Sequence, residues 1–322
     1  MTRVVGRRPA AGRILRGRHW WTLLLIAFFA GAAGASESRV LTVREGLPSN
    51  WVTALAPAPE GKLWVGTGNA GVFLLDPATG TGKGYRTADG LSSDEVTSIA
   101  LFQGKVYVGT AAGLSVFDGS KWETVSTVEN VTMRNVRLAA SPDGKELWAC
   151  AVYLAGGTVR FDGAHWKFMG GEGRGLFNDI QGFAFLPDGV VMGAGSGGVY
   201  LHTGSGVQVL SGGLPPANIF AAAGRGKGVL IGTSRGLYEY EGTWRVVPLP
   251  DRAAGAPVFS IAVEGERAAA GSDKGLLVIE GGKVRVLGTA DGLPAPRVGA
   301  VAFVDGKVAA GTARGLAIVP VP

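Results

Sequence analysis

Short apolar runs alternate with glycine-rich turns along most of this chain, and no stretch carries a helical period long enough to matter. Residues 96–125 show the pattern. Val96 to Phe102 reads as a strand, Gln103-Gly104 turns, and Lys105 to Gly109 is a second strand. Ala111-Ala112-Gly113 turns again into Leu114 to Phe117. Asp118-Gly119 then places glycine where a tight hairpin wants positive φ, leading into Lys121 to Val125, whose Trp122 can cover the outer edge. Phe161-Asp162-Gly163 with Trp166, and Tyr240-Glu241-Gly242 with Trp244, repeat the device.

The pattern recurs. The β-branched residues Val52, Val96, Val136, Ile180, Ile219, Val258 and Val298 are each followed four positions later by Ala, at Ala56, Ala100, Ala140, Ala184, Ala223, Ala262 and Ala302. Thirteen or 14 residues from the same starts stand Gly66, Gly109, Cys150, Gly193, Gly232, Gly271 and Gly311. A second glycine column follows at Gly71, Gly113, Gly157, Gly198, Gly236, Gly275 and Gly315. The starts are 44, 40, 44, 39, 39 and 40 residues apart. Four antiparallel strands at that period describe a propeller blade, so the pattern predicts an all-β, seven-bladed β-propeller over residues 36–322.

The alanine column is expected where inner strands converge, and the glycines where turns need positive φ or close backbone approach. The last unit ends at its third strand. Arg39 to Val43 resembles Val284 to Leu287 in its neighbourhood, so the N-terminal strand is expected to complete the seventh blade and close the ring.

Composition changes the picture in one respect. Residues 1–35 hold six Arg and no acid, then an apolar run from Trp20 to Ala33 and the small residues Ala33-Gly34-Ala35: a secretory signal peptide by pattern. The remaining chain carries 25 Lys and Arg against 25 Asp and Glu, so the basic balance belongs to the leader and a nucleic-acid partner loses its compositional support. The apolar run is shorter than the ~20 residues of a membrane-spanning helix, and nothing later is long enough to span. The expected location is periplasmic or secreted, without a membrane span after cleavage and as a monomer. Cys150 is the sole cysteine, so no internal disulfide is available, and its expected role is that of a small covered strand residue.

Residues 46–56 (Gly-Leu-Pro-Ser-Asn-Trp-Val-Thr-Ala-Leu-Ala), then Gly-Lys-Leu-Trp-Val-Gly-Thr (61–67) and Gly-Val-Phe-Leu-Leu-Asp (71–76), resemble the two-component regulator propeller repeat. Asp89 to Ser92 with Val96 to Ala100, Gly232-Thr233 with Gly236-Leu237, and Gly311-Thr312 with Gly315-Leu316 repeat the match. The resemblance implies a propeller of the type found in the periplasmic sensing region of membrane histidine kinases, where such domains read glycans or other extracellular cues. Unit three departs most, replacing the Gly-Thr turn by Cys150 to Gly157.

Chemistry is sparse. Gly66-x-Gly68-x-x-Gly71 and Gly193-x-Gly195-x-x-Gly198 satisfy the dinucleotide fingerprint but open no helix, so no cofactor is expected. His165 and His202 form no pair with metal spacing, and no metal is expected. Asp94, Asp179, Asp273 and Asp291 read as turn or capping carboxylates rather than catalytic acids. The best positional signal is cationic: Arg235, Lys274 and Arg314 occupy the slot between the glycine columns in three successive units, with Arg297 entering the seventh inner strand. Such an arc suits an anionic ligand, and Asn69 and Tyr153 occupy related turns. The expectation is a non-catalytic binding or sensing module for a glycan, another small or acidic ligand, or a protein partner. The alternatives are a glycan-cleaving or lyase-type enzyme using channel carboxylates, and a scaffold in an envelope assembly.

Overall fold

The computed structural model describes residues 38–152, 156–170, 177 and 179–321, and the leader at 1–35 and Tyr153 lie outside them. Seven four-stranded antiparallel sheets follow one another along the chain, each in simple meander order from its innermost strand outward. The innermost strands are Val52–Pro57, Val96–Phe102, Val136–Ala140, Ile180–Leu186, Ile219–Arg225, Val258–Glu264 and Val298–Val304. Each touches the next, and the last touches the first, so the blades close a ring. The N-terminal strand Arg39–Leu41 pairs antiparallel with Gly315–Pro320, Leu41 opposite Leu316, and supplies the outermost strand of blade 7 as expected. A two-stranded ribbon, Thr127–Val128 with Val131–Thr132, adds to the link between blades 2 and 3.

The core is a set of clusters between neighbouring blades. Val52 packs backward on Leu316 and Ile318 of blade 7, whereas Ala54 and Ala56 of the same strand pack forward with Val96, Ile99 and Val106 of blade 2. A regular strand would keep Val52, Ala54 and Ala56 on one face. The switch comes from a β-bulge between Val52 and Ala54, where Thr53 is the extra residue. The same shift occurs between Val96 and Ser98, Ile180 and Gly182, Ile219 and Ala221, Val258 and Ser260, and Val298 and Ala300. Blade 3 has none: Val136 to Ala140 pair in unbroken register with Ala151 to Leu147.

The two small-residue columns therefore have causes more specific than convergence on an axis. The alanines face the adjacent blade across these clusters. In blade 3 the structural equivalent of Ala56 is Ala139, opposite Trp148 as Ala56 is opposite Trp64, and Ala140 is one position out. A side chain in the first glycine column would collide with the next blade: a Cβ at Gly66 would lie 2.5 Å from Val96 Cγ1, and one at Gly311 2.5 Å from Val52 Cγ1. Positive φ belongs to part of the second column, as at Gly236 (124°) and Gly275 (136°).

Candidate functional site

The bulges act on the axis of the ring. Each innermost strand begins on one face of the propeller, the face that also carries the turns joining second to third strands, since Val52 is opposite Thr67 and Gly66 opposite Val72. Near that face lies an axial cavity of about 480 Å³, lined by residues from all seven innermost strands. The extra residues Thr53, Thr97, Gln181, Phe220, Phe259 and Gly299 all line it. A bulge re-aims a side chain that a regular strand would bury between blades, so these positions are free to carry polar, aromatic or absent side chains at little cost to the core.

The lining is divided. Thr53, Thr97, Arg137 and Gln181 make blades 1 to 4 polar, while Phe220 and Phe259 make blades 5 and 6 aromatic, their rings 5.4 Å apart. Blade 3, lacking its bulge, contributes Arg137 from the neighbouring register position. Its guanidinium donates to the Thr97 carbonyl (2.8 Å) and to Gln181 Oε1 (3.3 Å), so it ties the bulges of blades 2 and 4 together. Gln181 Nε2 donates in turn to Asp179 Oδ1 at 2.6 Å, which fixes the amide with its oxygen toward Arg137. Across the mouth, the Arg297 guanidinium lies 4.2 Å from the centroid of the Phe259 ring. A second cavity, of about 560 Å³, shares Leu55, Ile261 and Val301 with the first and carries Glu264 and Asp305 at the far ends of the strands.

Among the cations read from the sequence, Arg297 lines the axial cavity. Arg235, Lys274 and Arg314 do occupy equivalent turns of consecutive blades: their backbone amides donate to Thr233, Ser272 and Thr312 Oγ at 3.0, 3.1 and 3.0 Å. All three are exposed and stand outside the axial lining, and Arg235 borders a separate groove with Asn218 and Ser211. Asn69 is exposed in the turn whose Gly68 supports the flat of the Trp51 ring; Trp51, half exposed, immediately precedes the first inner strand. Tyr153 falls outside the described residues.

The groups considered for chemistry lie elsewhere. Asp94 accepts from the Thr87 amide and Asp291 from the Gly288 amide, both at 2.8 Å, as turn-holding carboxylates do. His202 sits in the third strand of blade 4 against the Trp148 ring, 5.4 Å away, and burial lowers its pKa, helped by the Arg160 charge. Cys150 is fully buried, and burial pushes its thiol up to about 11, so it stays protonated and unreactive near neutrality. Among the described residues, the axial lining contains no carboxylate, histidine or thiol.

Thr53, Arg137, Gln181, Phe220, Phe259 and Gly299 belong to none of the motifs that stand out in the sequence. A signal was present: the position after the β-branched start varies as Thr, Thr, Arg, Gln, Phe, Phe, Gly between columns that hardly vary.

Residues 46–69 match the two component regulator propeller family, which bears out the resemblance carried by that repeat. No curated protein matches the chain. Among solved structures, the fold is similar to an extracellular domain assigned to a hybrid two component system of B. thetaiotaomicron, at 16% identity and TM-score 0.72, covering 88% of this chain and 41% of that one. An extracellular domain assigned to a one component system of the same organism is similar at 17% identity and TM-score 0.71, covering 88% and 40%. This chain thus spans about two fifths of either. Virginiamycin B lyase from Staphylococcus aureus is similar at 10% identity and TM-score 0.67, covering 89% and 99%. At these identities the likeness is one of fold. Among the described residues no helix is long and apolar enough to cross a membrane.

Proposed function

We propose that this protein is an exported, non-catalytic binding propeller that holds its ligand in the axial mouth on the face where the inner strands begin. The observation that carries the reading is the set of six bulges that turn five side chains and the bare Gly299 onto one cavity, polar on one side and aromatic on the other. A polar arc facing an aromatic arc suits a glycan or another small molecule with hydrogen-bonding edges and an apolar face, or a short segment of a partner. Export is supported by the Arg-rich leader with its apolar run and by the extracellular domains among the similar folds. Arg235, Lys274 and Arg314 are proposed as an outer cationic rim, the part of the face that an acidic partner or a long acidic glycan would reach beyond the mouth.

The lyase reading has a fold match over nearly the whole of both chains in its favour. Against it stands a lining that, among the described residues, has no carboxylate, histidine or thiol, whereas proton transfer needs an acid or base within hydrogen-bond reach of the reacting atom. The test is a glycan array probed with residues 36–322, beside a Gly299→Trp variant. A Cβ at Gly299 meets nothing within 4 Å, so the indole projects into open space at the lining without displacing the fold. Retained ligand in wild type, lost in the variant and recovered chemically unchanged, is the expected result. Undiminished retention by the variant overturns the channel as the site, and cleaved ligand overturns the non-catalytic reading.

A further inference from the structure

Resting on the axial mouth as the binding site, we infer that Arg297 is its specificity-determining residue and selects ligands that carry a planar oxyanion, such as a carboxylate, beside a ring. Three observations converge on it. First, Arg297 is exposed at the cavity and held against the Phe259 face, yet has no hydrogen bond or ion pair among the described residues. Five N–H donors in a fixed plane, steadied by an aromatic ring and left without an acceptor, form a receptor organised before the ligand arrives. A guanidinium set over a ring keeps N–H groups free for two parallel hydrogen bonds, which a carboxylate matches and a hydroxymethyl group does not.

Second, the space beside it is open. Gly299, two residues on, is the bulge residue that carries no side chain, and nothing stands where its Cβ would be. The seventh blade therefore contributes a cation and a gap. Third, the other cation of the lining is already engaged: Arg137 bonds Thr97 and Gln181, and that amide is itself held by Asp179. The cavity thus has a sector over blades 2 to 4 that is internally bonded, and a sector over blades 5 to 7 in which Phe220, Phe259, Arg297 and the space at Gly299 face a ligand.

The probes are phenyl β-D-glucuronide and phenyl β-D-glucoside, which share the ring and differ by one carboxylate, titrated by calorimetry or ligand-observed NMR. Wild type is expected to take the glucuronide about 10-fold or more tighter than the glucoside, with a preference that shrinks as salt is raised. Arg297→Gln should remove that preference, bringing the two affinities together, while Gly299→Trp should abolish binding of both. A preference that survives in Arg297→Gln overturns the assignment to Arg297 and leaves the channel standing. Binding of both probes unchanged in Gly299→Trp overturns the channel itself. A wild type that takes neither probe at millimolar concentration, or both equally, also overturns the inference.

Discussion

The first three blades and the last three solve the same packing problem in opposite ways. Opposite the inner-strand alanine, blades 1 to 3 place Trp64, Tyr107 and Trp148, all buried, and Trp64 belongs to an aromatic group with Tyr85, Phe117 and Trp122. Blades 5 to 7 place Leu230, Ala269 and Ala309 there, equally buried. At the bulge position the trend reverses as far as blade 6, from Thr53 and Thr97 to Phe220 and Phe259, and blade 7 leaves a gap at Gly299. Bulky aromatics thus stabilise the ring from between the blades on one side and face the cavity on the other. The lesson is that the same residue type serves stability or recognition according to which side of a bulge it falls on, because the bulge decides whether a side chain meets protein or the axis.

That division can be broken at its strongest point first. Trp148 is 1% exposed and donates its indole N–H to Glu146, so Trp148→Ala leaves both a cavity and a half-satisfied carboxylate. It should cost about 3–5 kcal/mol in urea unfolding. The reverse substitution probes the other half: Ala309→Leu forces extra volume into a fully buried site and should cost about 1–3 kcal/mol. If Ala309→Leu is neutral, the small half of the ring contains slack and the contrast is one of composition alone. Phe259→Ala comes next, with a stability loss of about 1 kcal/mol or less because the ring is only half buried, but with the phenyl glucuronide affinity lowered several-fold. A loss in Phe259→Ala as large as in Trp148→Ala would mean that the channel aromatics are core after all.

The ring was legible in the sequence because its columns are imposed by contact between blades: Gly66 must be small since Val96 presses on it, and the same contact recurs around the circle. Closure was legible for a related reason, since a last unit short of its outer strand leaves Leu316 and Ile318 without cover until Leu41 arrives. The site was not. Six of the seven inner strands carry the same extra residue, so the spacing of the columns stays constant and Thr53 and Phe259 look like ordinary alternation. In blade 3 the pair Ala139-Ala140 hid the missing bulge altogether, since either alanine satisfies the four-residue step from Val136. Arg297 was visible because charge is readable without register. Its pairing with Phe259 was not, because that contact spans 38 residues and depends on two bulges at once.

The smallest effect concerns the boundary between the two halves, where His202 lies in blade 4 against Trp148 of blade 3. Burial lowers its pKa from the ordinary value of 6.5, and the Arg160 and Lys167 charges act in the same direction against the opposing pull of Glu146. The folded chain therefore resists protonation that the unfolded chain accepts. Stability is greatest above about pH 6.5, where both states hold a neutral ring, and falls as pH drops from there toward the lower folded value, because over that interval only the unfolded imidazole gains its proton readily; below it both states are protonated and the loss levels off. Between pH 7.5 and 5.5 the wild-type Tm should decline, and His202→Gln should remove part of that decline while leaving the Tm at pH 7.5 close to where it was. Asp118 and Asp143 do not contribute in this window, being held down to about 2 by their hydrogen bonds, from the Lys121 amide and Ser120 in the one case and from Ser141 and Lys145 in the other. If the two proteins decline in parallel, the interface between blades 3 and 4 is insensitive to the charge on this ring, and the aromatic half of the molecule extends one blade further than its polar contacts suggest.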